Sequence, residues 1–272
     1  MKLTYLGTAA AEGFPALFCN CQYCNAARSL GGKNIRTRSQ AMINEDMLID
    51  LPPDTYTHFL ANGILGHKIR YLLITHSHRD HLLPMELLSH KPPYAHKMDC
   101  TQLQVYCSQG AYNAIRELIK DDDYIRVQLV KPFETLRLGD YEVCPLPARH
   151  AKGDDAVFYL VKGEKTILYA HDTGYFYDEV FEYLEKNKIY IDLISLDCTN
   201  VDIPISNTGS HMGIANLEEV VQRLAAMGAV DQHTVKYINH FSHNANPIQS
   251  VLEERVAPLG YRVAYDGLSV EI

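Results

Sequence analysis

Four metal-ligand side chains lie within six positions, directly after an apolar run that has the character of a buried strand. Residues two apart in extended backbone point the same way, so the imidazoles of His76 and His78 can converge on one cation. Asp80 and His81 follow where we expect a helix spanning His81 to Leu88, and they can serve a second cation beside the first. The spacing predicts a two-metal site, and a solvated histidine-rich loop is the alternative interpretation.

Ligand-type residues also follow three further predicted strands, at His150, Asp172 and His240. Ligands gathered from the ends of different strands fit a site on one rim of the sheets. A single histidine after a strand is more often a surface residue, but beside the four-residue cluster these three complete two coordination spheres. Asp50 ends a strand in the same manner, immediately before a Leu-Pro-Pro sequence.

Three of the seven cysteines lie close together, at Cys19, Cys21 and Cys24. They supply three soft ligands, whereas a tetrahedral structural zinc needs four, so the fourth must come from elsewhere in the chain. The other four cysteines are scattered, and we expect them to be thiols of the core.

The composition favours a globular fold, because 272 residues that are 47% hydrophobic can form a well-buried core. The formal charge of -8 argues against a broad electrostatic surface for nucleic acid or an anionic membrane. The first residues lack the pattern of a secretory signal, and no run has the length of a membrane span. We therefore expect a cytoplasmic protein, one domain over residues 1–272, and a small-molecule substrate, with a homodimer left open.

Short strand-like runs and amphipathic stretches alternate along the chain without a linker. Two strand-rich halves with helices between them indicate an α/β (α+β) fold in which two sheets pack face to face under helices. The predicted strands are Leu3 to Leu6, Ser39 to Ile43, Met47 to Asp50, Arg70 to Ile74, Leu103 to Tyr106, Ile125 to Val130, Glu142 to Leu146, Ala156 to Val161, Thr166 to Ala170, Asp192 to Leu196, Thr234 to Ile238, Tyr261 to Tyr265 and Leu268 to Glu271. The other predicted helices are Asp54 to Ala61, Gln109 to Lys120, Tyr177 to Lys186, Asn216 to Met227 and Ile248 to Val256.

The order of these ligand-type residues resembles the motifs of the metallo-β-lactamase superfamily. The matching positions, in chain order, are Asp50, His76, His78, Asp80, His81, His150, Asp172 and His240. The resemblance implies an αββα sandwich with a binuclear metal site. It implies that His76, His78 and His150 hold one cation, that Asp80, His81 and His240 hold the other, and that Asp172 bridges them. Asp50 is then expected to orient the loop without binding metal, and Asp80 and Asp50 both support catalysis.

A closer resemblance is to the phosphoribosyl cyclic phosphodiesterases of the carbon-phosphorus lyase pathway. It rests on Leu6-Gly7-Thr8, on Gly13-x-Pro15, on the cysteine cluster and on the spacing of His240 and His243. It implies that His243 completes a structural zinc site with Cys19, Cys21 and Cys24, and that His211 is a catalytic histidine. The segment Gly13 to Cys21 is also similar to the pyrroloquinoline quinone biosynthesis protein B. The segment Val201 to Gly209 has no assigned counterpart.

These resemblances imply a phosphodiesterase in which two zinc or manganese ions activate a bridging hydroxide. The expected substrate is a small, cyclic ribose phosphodiester, and His211 protonates its leaving oxygen. A tRNA 3'-end endonuclease would use similar ligands but needs a basic arm, which the sequence does not contain. Two further alternatives are a role like that of the pyrroloquinoline quinone biosynthesis protein B and a non-catalytic metal-binding protein of the same fold.

Overall fold

The computed structural model describes residues 1–272 and contains two β-sheets of seven strands each. The strands, in chain order, are β1 Lys2–Gly7, β2 Gln40–Ile43, β3 Met47–Ile49, β4 Tyr71–Ile74, β5 Leu103–Cys107, β6 Ile125–Leu129, β7 Leu136–Leu138, β8 Tyr141–Pro147, β9 Val157–Lys162, β10 Thr166–Ala170, β11 Leu193–Asp197, β12 Val235–Asn239, β13 Arg262–Val263 and β14 Ser269–Glu271. The first sheet has the order β14-β1-β2-β3-β4-β5-β6, and the second has the order β13-β12-β11-β10-β9-β8-β7.

Five of the six helices cover the outer faces of the two sheets, and the first helix packs in a separate small cluster with Phe14 and Ile248. The helices are, in chain order, α1 Gln22–Leu30, α2 Thr55–Asn62, α3 Gln109–Arg116, α4 Asp178–Lys186, α5 Ile214–Ala226 and α6 Gln249–Val256. Phe59 of α2 and Ile115 of α3 pack on the first sheet, whereas α4, α5 and α6 pack on the second. The αββα sandwich is therefore confirmed. No helix has both the length and the apolar character that crossing a bilayer requires.

Side chains that alternate along each strand contribute to two different hydrophobic cores, one between the two sheets and one beneath the helices. On β10, Ile167 and Tyr169 face the space between the two sheets, while Leu168 faces the helices on the other side. Successive side chains of a strand point to opposite faces, so a strand buried on both sides is apolar throughout. Between the sheets, the Tyr5 hydroxyl donates to Ser195 Oγ at 2.9 Å, which satisfies a polar group inside this core.

The predicted helix from His81 to Leu88 is wrong. Leu82 pairs instead with Leu51 in a short bridge, and a 3-10 helix runs over Pro84–His90. Pro84 disfavours the helical conformation for the residue before it, so a helix cannot run through this point from His81. The structure also contains α1 and β7, which the sequence patterns did not predict.

The site-bearing strands end at a common rim. β3 and β4 are parallel neighbours in the first sheet, and β10, β11 and β12 are parallel neighbours in the second. The carboxyl ends of parallel strands meet at the same edge of a sheet, which is where open α/β sheets bind ligands. The residues that follow these strands are therefore brought together across the two sheets.

Candidate metal centre

Three imidazoles converge at the rim. His76 and His78 come from the loop after β4, and His150 comes from the loop after β8. One ligand atom from each lies within 4.8 Å of the others, and His150 Nε2 is 3.2 Å from His78 Nδ1. Two ring nitrogens this close need a proton or a cation between them, so the group has the geometry of a three-histidine cation site.

A second group of four side chains adjoins the first and is buried throughout. It consists of Asp80, His81, Asp172 and His240. The Nε2 atom of His240 is 3.1 Å from Asp172 Oδ2, and His81 Nε2 is 3.2 Å from Asp80 Oδ2 and also contacts Asp172. The other carboxylate oxygen of Asp172 lies 3.6 Å from His150 Nε2. Asp172 therefore reaches both groups.

The ligand atoms that face the centre have no partner outside it. His76 Nε2 is buried without a hydrogen bond, and the close polar contacts of His81 Nε2, His240 Nε2 and Asp172 Oδ2 are with one another and with Asp80. Buried imidazole and carboxylate atoms that face only one another fit a site for divalent cations. The residues present therefore fit the metals that the fold suggests.

The opposite ring nitrogens are fixed by protein groups. His81 Nδ1 donates to Asp50 Oδ2 at 2.7 Å, and His240 Nδ1 lies 2.9 Å from Thr199 Oγ1. His150 Nδ1 donates to the backbone carbonyl of Ser210 at 3.1 Å. Partners of this kind orient the rings of metal-binding histidines. Asp50 thus contacts a proposed ligand and does not itself face the centre.

Charge is balanced inside the cluster. Burial raises the pKa of the Asp172 carboxyl, but His240 and His81 outweigh burial and hold that pKa well below its usual value. Burial lowers the pKa of His81, and the carboxylates of Asp172 and Asp50 reverse that effect and raise it. Burial, followed by the charge of His81, keeps the pKa of His76 well below its usual value. This direction of the pKa shift favours the neutral imidazole at His76, which is the form that binds a cation.

Three of the residues that follow strands at this rim have left-handed backbone. The φ angles are 67° at Asp50, 49° at Asp172 and 63° at His240. Residues other than glycine rarely adopt this conformation, and such strain clusters at functional sites. The turn at each strand end directs its side chain toward the cluster.

Asp197 is a site residue that the sequence interpretation missed. It is fully buried at the end of β11, and its Oδ2 accepts a hydrogen bond from His211 Nδ1 at 2.8 Å. Asp172, Asp197, His211 and His240 also bring ligand atoms within 4.8 Å of one another and could hold a cation. His211 Nδ1 and Asp197 Oδ2 form a hydrogen bond, whereas His81 Nε2, His240 Nε2 and Asp172 Oδ2 form none, so we favour the second group for the cation. The signal was available, because Asp197 ends a strand as its neighbours do.

The segment 201–209, which had no predicted role, lies against the centre. Asn216, in the first turn of α5, donates to the carbonyl of Ile205 at 2.9 Å and to Asn207 Oδ1 at 2.8 Å. A Cβ on Gly174 would lie 1.8 Å from the Gly209 carbonyl oxygen, so the segment packs directly on the turn after Asp172. It thereby presents the residues that follow it, including His211, to the rim.

The cysteine cluster meets His243 as a separate group. One ligand atom from each of Cys19, Cys21, Cys24 and His243 lies within 4.8 Å of the others. His243 Nδ1 is 3.5 Å from Cys24 Sγ and 3.7 Å from Cys21 Sγ. A hydrogen bond from the Cys24 N–H, followed by one from His243, lowers the pKa of Cys21 to about 6. Thiolate and imidazole donors in this number fit a tetrahedral zinc.

Residues 47–241 match the family model of the beta-lactamase superfamily domain. The chain belongs to this superfamily. Its metallo-β-lactamase fold and its histidine and aspartate groups agree with divalent metal binding. The superfamily predicted from the motifs is confirmed, whereas the assignment to the cyclic phosphodiesterases stays a prediction.

Two kinds of protein are among those similar to this superfamily member. The coenzyme PQQ synthesis protein B of Acinetobacter baumannii (strain ACICU) is 22% identical over 324 residues, covering 100% of both chains. A diphosphatase of the PhnP family has a TM-score of 0.77 at 23% identity, covering 100% of this chain and 97% of that one. Zinc-bound PqqB from Methylobacterium extorquens has a TM-score of 0.78 at 17% identity, covering 100% of both. At these identities the two structures show a shared fold.

Proposed function

We propose that this chain is a metal-dependent hydrolase of small phosphoric diesters, with a cyclic ribose phosphate as the first substrate to test. The observation that carries the proposal is the set of buried ligand atoms of His76, His81, Asp172 and His240, which meet at the strand ends and have no partner outside the centre. A purely structural role would not explain why His76 Nε2 is buried there without any partner. A carboxylate that reaches both groups suits a pair of cations.

Two divalent ions bound here would supply an activated water and a Lewis acid for the phosphoryl oxygens. The protein residues have separate tasks around them. Asp172 would balance the charge of both cations, and Asp50 holds the His81 ring in place. His211 has its Nδ1 tied to Asp197, so its Nε2 is the nitrogen that remains for a substrate. Its side chain is 24% exposed, which leaves it accessible, and we assign it the protonation of the leaving oxygen.

The surroundings of the centre suit a small polar substrate. A cavity of about 310 Å³ opens beside His78 and has Ala151 as its one hydrophobic lining residue. Ser77, Lys152 and Asp154 also line it. A volume at the low end of the usual range for ligand pockets matches a nucleotide fragment or sugar phosphate better than a macromolecule. The net charge of -8 also disfavours a nucleic-acid substrate.

A role in coenzyme PQQ synthesis is the second candidate. The full-length match to the Acinetobacter baumannii protein favours it, since that alignment leaves no part of either chain uncovered. The two candidates differ in what they predict for phosphodiesters: a hydrolase of this class turns them over, whereas a protein devoted to coenzyme synthesis need not.

The test is an activity panel on a single preparation whose metal content is measured after loading with zinc or manganese. The substrates are a five-membered cyclic phosphate, a linear diester, a pre-tRNA and a thioester. We expect the cyclic phosphate to be cleaved fastest, and we expect chelation to abolish the activity and metal to restore it. Absence of diester cleavage by fully loaded protein would reject the phosphodiesterase proposal and favour the second candidate.

A further inference from the structure

Asp154 lies four residues after His150, in the loop between β8 and β9, and its carboxylate is buried. The Oδ2 atom accepts two hydrogen bonds from Ser77, one from the backbone N–H at 2.6 Å and one from the hydroxyl at 2.7 Å. Ser77 separates His76 from His78, so these bonds fix the backbone that carries both imidazoles. Hydrogen bonds to an ionised carboxylate are stronger than those between neutral groups.

The same carboxylate is also fitted against α3. Its Oδ1 accepts a hydrogen bond from Ser108 Oγ at 3.4 Å, and the Asp154 carbonyl accepts one from the Gly110 N–H at 3.0 Å. A Cβ on Gly110 would lie 1.5 Å from Asp154 Oδ1, so a side chain there would displace the carboxylate. Glycine weakens a helix, and its presence in α3 is explained by the carboxylate that it admits.

The loop around Asp154 has an unfavourable backbone conformation that tertiary contacts must stabilise. Ala151, Gly153 and Asp155 all have left-handed φ angles, of 45°, 90° and 52°. Two of the three are not glycine, so the local sequence disfavours this shape. Asp154, between two of them, fixes the loop to Ser77 and α3 and thereby fixes the approach of His150 to the other two imidazoles.

We propose that Asp154 is a positioning residue that fastens the segment carrying His76 and His78 to the loop carrying His150, so that the three imidazoles hold one cation. The inference rests on the metal centre of the proposed function. Asp50 holds the two ends of the segment 75–81, because it accepts hydrogen bonds from the Thr75 N–H at 2.8 Å and from His81 Nδ1. One carboxylate thus acts from each sheet of the sandwich.

The test measures cobalt(II) affinity of apo protein by competition with a chelator. Cobalt is the probe because a thiolate charge-transfer band reports the cysteine group alone, so the d–d absorption that grows after that band is saturated reports the histidine groups. Asp154→Ala should weaken binding at the three-histidine group by about 10-fold to 100-fold, as loss of a partner that orients ligands does elsewhere. The thiolate band should be unchanged. Asp155→Asn is the matched control, since Asp155 is exposed in the same loop and asparagine accepts its backbone conformation.

Unchanged cobalt affinity in folded Asp154→Ala would overturn the proposal. If this variant does not fold, Ser77→Ala decides the question, because it removes one donor to Asp154 and leaves the backbone bond. A several-fold loss in Ser77→Ala supports the positioning role, and wild-type affinity refutes it. Wild-type protein that binds cobalt at the thiolate group alone would overturn the metal centre and this inference together, so the two failures are distinguishable.

Discussion

Replacement of His211 by alanine would separate proton donation from substrate binding. His211 Nδ1 donates to Asp197 at 2.8 Å, which leaves Nε2 as the one ring nitrogen free to meet a leaving oxygen. Loss of a general acid costs roughly 10² to 10⁴ in rate, which corresponds to about 3 to 5 kcal/mol at 1.36 kcal/mol per decade. We expect that loss in kcat for a diester with an alkoxide leaving group. For p-nitrophenolate, which leaves without a proton, the loss should be much smaller.

The assay compares kcat for a cyclic ribose phosphate and for bis(p-nitrophenyl) phosphate on wild type and variant. Metal content is measured on the same samples, so that a change in loading is not mistaken for a change in chemistry. Asp197→Asn should reproduce the contrast, because an amide cannot stabilise the protonated ring as the buried carboxylate does. His233→Ala is the control, since His233 is exposed and away from the rim.

Equal losses on the two substrates would refute the acid role and reduce His211 to a phosphate contact, because a binding interaction is shared by both esters. An unchanged kcat on both substrates would mean that His211 has no role in the reaction. Loss of metal from the variant would instead assign His211 and Asp197 to the alternative cation group.

Three further outcomes are expected. Cys21→Ser should lower zinc content by about one per chain and lower the melting temperature through loss of the metal link to His243, and unchanged stoichiometry would reject the structural zinc. Asp172→Asn should weaken the binding of both cations at the metal centre and remove most hydrolysis, since a neutral amide cannot balance two dications. Full activity with both metals bound would exclude a bridging role for Asp172. Burial lowers the pKa of His58 from 6.5 to about 4, so the unfolded chain binds the extra proton and stability falls as pH falls through this window. Measured on apo protein relative to His58→Gln, the free energy of unfolding should fall by up to about 3 kcal/mol between pH 7 and pH 4, and a difference independent of pH would contradict the assignment.

The sequence by itself determined the superfamily, the two-sheet fold and the set of ligand-type residues. These depend on short windows, because the period of two in strands and the spacing of His76, His78 and Asp80 are local properties of the chain. Strand ends were enough to single out Asp172 and His240 as well. The helix expected from His81 is absent for two reasons: Pro84 is a local signal against it, and Leu82 pairs with Leu51 in a tertiary contact that local periodicity does not record.

Only the tertiary structure decided which of these residues meet and what supports them. Asp154 looks like an ordinary acidic residue in sequence, and its role arises from burial against Ser77, which is distant along the chain. Asp197 could be noticed because it ends a strand, but its hydrogen bond with His211 exists only in the folded protein. A carboxylate acquires such a role when folding removes it from water and leaves particular donors as its partners. No local pattern records the pairing of Asp154 with Ser77, because the packing of the two sheets brings these residues together from different halves of the chain.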